Sequence, residues 1–314
     1  MKTHIKKIIF VSLILILFPS INVFATNRTA LVIGNSAYKD NPLANPVNDA
    51  MLMHKVLSEC NFDVIVRTDV NRKQMRAAIR EFGNRIKKGG VGLFFFAGHG
   101  IQVKGENYLV PVQSEVLSEA EVPDECLLVS SVLRQMEAAE NELNVIILDA
   151  CRNNPYARSF RSSTRGLAKM DVPTGSILGY ATAPGSVALD GTGSNGLYTS
   201  ILAENILKPG LKIGDVFMQT RIKVVEISKK DYGMKQVPWE ASSLMGDFYF
   251  KEGAQDSTIT ELKKRQALEK EKLHKIEMER KKEEQRLKEI NQQKQQLKTS
   301  SPTKDDVIKI FNSL

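Results

Sequence analysis

Val91-Gly92-Leu93-Phe94-Phe95-Phe96-Ala97 runs directly into Gly98-His99-Gly100. Seven residues without a polar side chain leave no face fit for water, so the run reads as a strand covered on both sides. Asn144-Val145-Ile146-Ile147-Leu148-Asp149-Ala150 is a second strand-like run, apolar from Val145 to Leu148, and leads into Cys151-Arg152. Three more short runs share the pattern: Thr29–Ile33 (TALVI), Asp63–Arg67 (DVIVR) and Ser176–Ala181 (SILGYA). Between them lie segments of helical periodicity. Asn45–Glu59 carries Val47, Ala50, Met51, Val56 and Leu57, Asn71–Lys87 carries Met75, Ile79, Phe82 and Ile86, and Ser130–Ala139 reads the same way. Apolar strands alternating with amphipathic helices predict an α/β fold, a mostly parallel sheet flanked by helices on both faces. In such sheets ligands bind at the carboxyl ends of the strands. One of those ends carries His99, and another carries Asp149 and Cys151.

The flanks of this region differ from it in composition. Met1–Ala25 has Lys2, Lys6 and Lys7 before an apolar run from Ile8 to Phe18, then Pro19-Ser20 and Val23-Phe24-Ala25. That is the layout of a secretory signal peptide cleaved after Ala25 and too short for a full span, with an uncleaved N-terminal anchor as the alternative. The chain is thus expected to be exported, periplasmic or secreted, with no stable membrane anchor once the signal is removed. Residues 26–250 form the globular domain. From Lys251 to Leu314 the chain becomes a tail rich in Lys, Glu and Gln, read as a charged helix over Thr258–Leu297 followed by a short amphipathic helix from Asp305. Its apolar residues repeat at eleven, which does not match a clean seven-residue repeat, so either self-association through the tail or a solvated helix is open.

The net charge of +8 over 314 residues does not reside in the globular part. Residues 26–250 hold 25 basic and 24 acidic side chains, while leader and tail supply the excess. This argues against a nucleic-acid-binding domain. Three cysteines exclude a disulfide-stapled scaffold. An odd number leaves one thiol free, and Cys60 with Cys126 is the pair expected to join, geometry permitting. No phosphate loop, Cys-x-x-Cys, His-Glu-x-x-His or Gly-x-Ser-x-Gly motif is present, and no EF-hand loop. Gly191–Gly196 fits Gly-x-Gly-x-x-Gly but follows no first strand of a βαβ unit, so it reads as a substrate-side loop rather than a dinucleotide site. No metal or other cofactor is implied.

Two chemically capable residues at one sheet edge suggest a Cys–His dyad. His99 reads either as a general base or as a turn histidine satisfied locally; Cys151 reads either as a nucleophile or as a buried cysteine. Taken together, histidine would accept the thiol proton, the thiolate would attack a carbonyl carbon, and the backbone N–H groups of Gly100 and Cys151 would hold the oxyanion. His54 reads as a structural helix residue and His274 as a solvated one.

Thr29–Gly34, Phe96-Ala-Gly-His99-Gly100 and Leu148-Asp-Ala-Cys151-Arg152 resemble the caspase-like cysteine peptidases, most closely their bacterial metacaspase and paracaspase branch. Pro184-Gly185, Ala188–Gly191, Pro238-Trp239-Glu240 and Ser242-Ser243-Leu244 extend the likeness over about residues 28–250. The resemblance implies His99 as base and Cys151 as nucleophile. It also bears on specificity, because Asp149 stands where true caspases carry glutamine. Members with an acid there cut after Arg or Lys. Asn48-Asp49 matches the place of a second pocket acid, so Asp49 and Asp149 are expected to bind a basic side chain through charge-assisted bonds. Ala150 replaces a second cysteine, and no acidic cluster supports a calcium requirement. The expected substrate is a protein or peptide with basic residues. The rival is a catalytically silent scaffold acting through its tail. The loop after Cys151 holds Arg158, Arg161, Arg165 and Lys169, an exposed polar stretch expected to be self-cleaved, with Arg165 before Gly166 preferred.

Overall fold

The computed structural model describes residues 27–86, 90–151, 166–183, 186, 193–299 and 312–313. It divides into two compact units, one ending at Lys251 and the other starting at Glu252. Strands are β1 (Arg28–Gly34), β2 (Asp63–Thr68), β3 (Val91–Val103), β4 (Glu106–Leu109), β5 (Leu127–Leu128), β6 (Leu143–Cys151), β7 (Ser176–Tyr180) and β8 (Trp239–Ser242). Helices are α1 (Pro46–Glu59), α2 (Arg72–Arg85), α3 (Val122–Glu125), α4 (Val129–Glu137), α5 (Leu197–Ile206), α6 (Ile213–Tyr232) and α7 (Ala254–Thr299).

The main sheet runs β2-β1-β3-β6-β7-β8. Its first five strands are parallel, and β8 closes the edge antiparallel to β7. Alternate residues of each strand enter opposite cores, as the pleat requires. On one face Ala30, Val32, Leu93, Phe95, Val145 and Ile147 pack with Met53, Leu57, Leu202, Ile206 and Phe217 of α1, α5 and α6. On the other, Leu31, Ile33, Phe94, Phe96, Ile146 and Leu148 pack with Met75, Phe82, Val132 and Met136 of α2 and α4. The α/β fold expected from the apolar runs is the observed one, with helices on both faces.

Four details differ from the sequence reading. First, β3 does not stop at Ala97. It continues through Gly98-His99-Gly100 to Val103 and turns back antiparallel into β4, because sequence periodicity cannot show that a strand changes neighbours. Second, α2 ends at Arg85 and starts on a capping box between Asn71 and Gln74. Third, α5 and α6 carry no clean apolar stripe in sequence. α5 is buried almost all round, which erases the one-sided pattern. Fourth, Cys60 and Cys126 are both free and buried. Cys60 lies in the α1-side core and Cys126 in a separate cluster with Val103, Val110 and Val122, so the expected disulfide does not form.

The segments at the carboxyl ends of β1 and β3 are fixed in place by local contacts. Gly34 lets α1 start directly against β1, since a Cβ there would fall on the Pro46 carbonyl oxygen. Buried Asn35 ties three chain segments together. Its N–H donates to Ala97 O (2.9 Å), its amide donates to Val110 O (3.3 Å), and its Oδ1 accepts from Val70 N (3.0 Å). Asp69 Oδ1 accepts from Ser36 N and Ala37 N at 2.7 and 2.8 Å, shaping the loop that leads to Tyr38.

Candidate active site

β3 and β6 pair in parallel with His99 opposite Cys151, Gly98 opposite Ala150 and Ala97 opposite Asp149. The two residues singled out in the sequence therefore occupy neighbouring backbone positions where the parallel pairing ends. His99 is buried. Its backbone N–H donates to Tyr38 Oη at 2.9 Å, and Tyr38 Oη donates in turn to Val110 O at 3.0 Å. The Tyr38 and His99 rings lie 4.4 Å apart between centroids, tilted at 52°. His99 Nε2 lies 2.7 Å from Asn41 O. A carbonyl oxygen only accepts, so Nε2 carries the proton, and in the neutral ring the lone pair resides on Nδ1. This fixes both the tautomer and the ring orientation.

Gly98 makes that placement of His99 possible. Its φ of +152° is one that residues with a side chain rarely adopt, and a Cβ there would come within 2.6 Å of Tyr38 Oη. Gly100 follows. Val110 N donates to His99 O at 2.9 Å, and Gly100 pairs with Leu109. These two facts make Gly100 and Leu109 a non-hydrogen-bonded pair, whose own N–H groups point away from each other. His99 and Ala97 direct their carbonyls toward the β1 and β4 side, through Val110 and Asn35. By strand alternation the Gly100 N–H is directed to the opposite, β6 side.

Asp49 and Asp149 converge from different elements. Asp149 shares its strand face with Val145 and Ile147, the face covered by α1 and α5. Asp49 sits in the first turn of α1 and is buried. Asp49 Oδ1 accepts from Gly196 N at 2.9 Å and from Asn195 Nδ2 at 3.0 Å. Asp149 Oδ2 accepts from Thr199 Oγ1 at 2.6 Å. Asn48 Nδ2 donates to Ser194 O at 2.8 Å. Two carboxylates thus meet at the amino end of α5, where backbone N–H groups and the helix dipole favour negative charge. Asn195 and Gly196 belong to the glycine-rich stretch read as a substrate-side loop. Thr199, Tyr38 and Asn41 carried no signal in the sequence, since nothing in their local composition sets them apart, and Asn195 was marked only by the glycine-rich stretch around it.

Of the expected self-cleavage residues, Arg158, Arg161 and Arg165 lie outside the described residues. Lys169 is exposed and lies over the Trp239 ring at 5.6 Å. The segment just before it is anchored. Gly166 and Leu167 are buried, and Ala168 exchanges two hydrogen bonds with buried Asn107, N to Oδ1 at 2.6 Å and Nδ2 to O at 2.8 Å. His54 is half-buried on α1 and His274 is exposed on α7. Burial pushes the Cys60 thiol up to about 11, partly offset by Lys251 and Arg28, and burial beside Glu125 pushes Cys126 up to about 12. Both stay protonated and poorly nucleophilic near neutral pH. Among the described residues, no three His, Cys, Asp or Glu side chains come together to hold a metal ion.

Residues 27–249 match the caspase domain family over most of the chain. The chain belongs to the caspase domain family. It is also similar to the human mucosa-associated lymphoid tissue lymphoma translocation protein 1, at 31% identity over 188 residues, which are 59% of this chain and 22% of the human protein. The mouse homolog of that protein matches with the same identity and coverage. The chain therefore spans about a fifth of the length of these curated relatives. Among the described residues no helix is long and apolar enough to cross a membrane.

Proposed function

We propose that this caspase-family chain is an exported cysteine endopeptidase of the paracaspase or metacaspase type that cleaves peptide bonds after Arg or Lys. The observation that carries the reading is the β3–β6 register that sets His99 beside Cys151, with His99 Nε2 committed to the Asn41 carbonyl. In the proposed reaction Nδ1 of His99 accepts the Cys151 thiol proton. The thiolate attacks the scissile carbonyl carbon, and the N–H groups of Gly100 and Cys151 hold the oxyanion. Collapse of the tetrahedral adduct breaks the C–N bond, and imidazolium returns its proton to the leaving amine. Water, deprotonated by the same imidazole, then attacks the thioester and releases the acid with the free thiol. Asp49 and Asp149 take the guanidinium or ammonium of the residue before the cut. The amide of Asn195 and the hydroxyl of Thr199, which these carboxylates now hold, keep their oxygens aimed at the pocket.

Export rests on the leader alone. N-terminal sequencing of the protein recovered outside the cytoplasm should begin at Thr26; recovery with Met1 intact would favour an anchor. The catalytic reading is tested with an arginyl active-site probe and an arginyl peptide substrate. Wild type should be labelled at Cys151 and should hydrolyse the peptide. Cys151→Ala and His99→Ala should do neither, with unchanged thermal unfolding. Hydrolysis retained in purified Cys151→Ala removes the assignment. A properly folded wild type that neither labels nor cleaves leaves the scaffold reading in its place.

A further inference from the structure

α7 is a single helix of 46 residues, on the order of 69 Å long. Ion pairs one turn apart run along it, including Glu271–Lys275 at 2.8 Å and Glu277–Lys281 at 3.0 Å. Those pairs explain why it is helical without a core. They do not explain Leu262, Leu273, Ile276, Leu287 and Ile290, which are between 49% and 62% exposed. With Leu273 as position a of a heptad and Ile276 as d, all five fall on one seam. Position a reads Gln266, Leu273, Arg280, Leu287, and position d reads Leu262, Glu269, Ile276, Glu283, Ile290. Two apolar seam residues alternate with two polar ones. The eleven-residue spacing is thus a seven-residue frame whose every second repeat is polar, since both 262 to 273 and 276 to 287 run from a d position to an a position.

We propose that α7 pairs with α7 of a second copy of this chain as an antiparallel two-stranded coiled coil whose twofold axis passes between His274 and Lys275. In an antiparallel pair each a residue packs against a d residue of the other copy. About that axis Leu273 meets Ile276 of the second copy, and Leu262 meets Leu287. Ile290 falls opposite position 259, an isoleucine in the sequence. The polar seam residues meet partners that suit them: Arg280 faces Glu269, and Gln266 faces Glu283. On the flanks Lys270 faces Glu277 and Lys272 faces Glu279, with Arg265 against Arg286 as the like-charge exception. The twofold axis repeats every one of these pairs.

Other arrangements of two copies are worse by charge. A parallel, in-register pair sets Glu269, Arg280 and Glu283 each against its own copy, which removes the seam's charge pairing. An antiparallel pair slipped by one repeat, with its axis between Lys281 and Lys282, still matches Arg280 with Glu283. It leaves Leu262 without an apolar partner and sets Glu277 against Glu284. The alternation of apolar and charged seam layers therefore specifies orientation and register together, at some cost in affinity.

The test uses the full chain carrying Cys151→Ala. Sedimentation up to about 100 µM should show a species of two chains in equilibrium with one; one chain at every concentration overturns the proposal. Arg280→Glu should weaken the dimer at least about tenfold, and Glu269→Arg in the same chain should restore it. Rescue by Glu283→Arg instead would establish the slipped register and overturn the one proposed, and rescue by neither would overturn the antiparallel pairing. Mixing Leu262→Cys chains with Leu287→Cys chains under mild oxidation should give a crosslink between the two kinds. A crosslink within either kind alone would mean a parallel pair. Far-ultraviolet circular dichroism should show unchanged helix content in every variant, which separates loss of pairing from loss of the helix.

Discussion

Asp49 Oδ2 and Asp149 Oδ2 lie 3.0 and 3.3 Å from the one point where a Cβ on Gly196 would sit. One carboxylate arrives on the first turn of α1 and the other at the end of β6. The gap between them is kept open by the absence of a side chain at the amino end of α5. The backbone of Gly196, φ −59° and ψ 145°, is open to any residue, so space and not strain is what glycine supplies here. Gly196→Ala should therefore fold normally and raise KM for an arginyl peptide by about tenfold, a difference of ~1.4 kcal/mol. Steady-state kinetics would check this, and an unchanged KM would show that the bound side chain does not enter between the two acids.

Asp149→Asn and Asp49→Asn each keep the shape of the pocket and remove one charge. Loss of a partly buried charge-assisted pair costs about 2–5 kcal/mol. Either variant should lower kcat/KM for arginyl peptides by about 30-fold or more. Alkylation of Cys151 by uncharged iodoacetamide should stay within about twofold of wild type. If both fall together, the acids act on the dyad and not on the substrate's side chain.

The two buried thiols predict a pH dependence of stability. Their folded-state values, about 11 for Cys60 and about 12 for Cys126, lie above the ordinary 9.0. The folded state keeps protons that the unfolded chain gives up. Their contribution is complete below pH 9.0 and is lost as pH rises through the folded values. The urea midpoint should fall between about pH 9 and pH 11, and the fall should be shallower in Cys126→Ala measured against its own neutral-pH midpoint. An equal slope in the variant would point to other titrating groups.

Truncation after Lys251 should leave a folded domain. The last residue in the α1-side core is Phe250, which sits 6.2 Å from the Phe62 ring and whose carbonyl accepts from Arg28 at 2.8 Å. Chains ending at Lys251 should match the full chain in thermal midpoint and arginyl peptide hydrolysis. Chains ending at Gly246 lose Phe248 and Phe250 and should be destabilised by about 3 kcal/mol or more. Equal stability of both truncations would mean that these aromatics do not complete the core.

Self-cleavage, if it follows the proposed specificity, should favour Arg158 or Arg161 over Arg165. A cut after Arg165 requires an extended segment across the bond, yet Gly166 and Leu167 are buried and Ala168 is held twice by Asn107. Sequencing new N-termini from wild type, with Cys151→Ala as control, locates the cut. Asn107→Ala removes both anchoring bonds, a loss of about 1–3 kcal/mol. That variant should shift cleavage toward Arg165. Cleavage at Arg165 in wild type from the first time point would show that the anchor opens readily.

The sequence by itself determined the layers of the globular unit. Runs such as Val91–Ala97 and Val145–Leu148 are apolar on both faces, and only a sheet covered on two sides satisfies them. It also brought His99, Asp149 and Cys151 to one sheet edge, because parallel strands share a carboxyl end. What it left open depends on distances between segments that no local pattern encodes. The continuation of β3 into β4 depends on Leu109 and Val110 returning beside Gly100 and His99. The hold of Asn41 and Tyr38 on His99, the meeting of Asp49 with Asn195 and Gly196, and the separation of Cys60 from Cys126 all join residues far apart in the chain. Local periodicity records which face of an element is apolar; which segments then meet is decided by packing, and only the tertiary structure shows it.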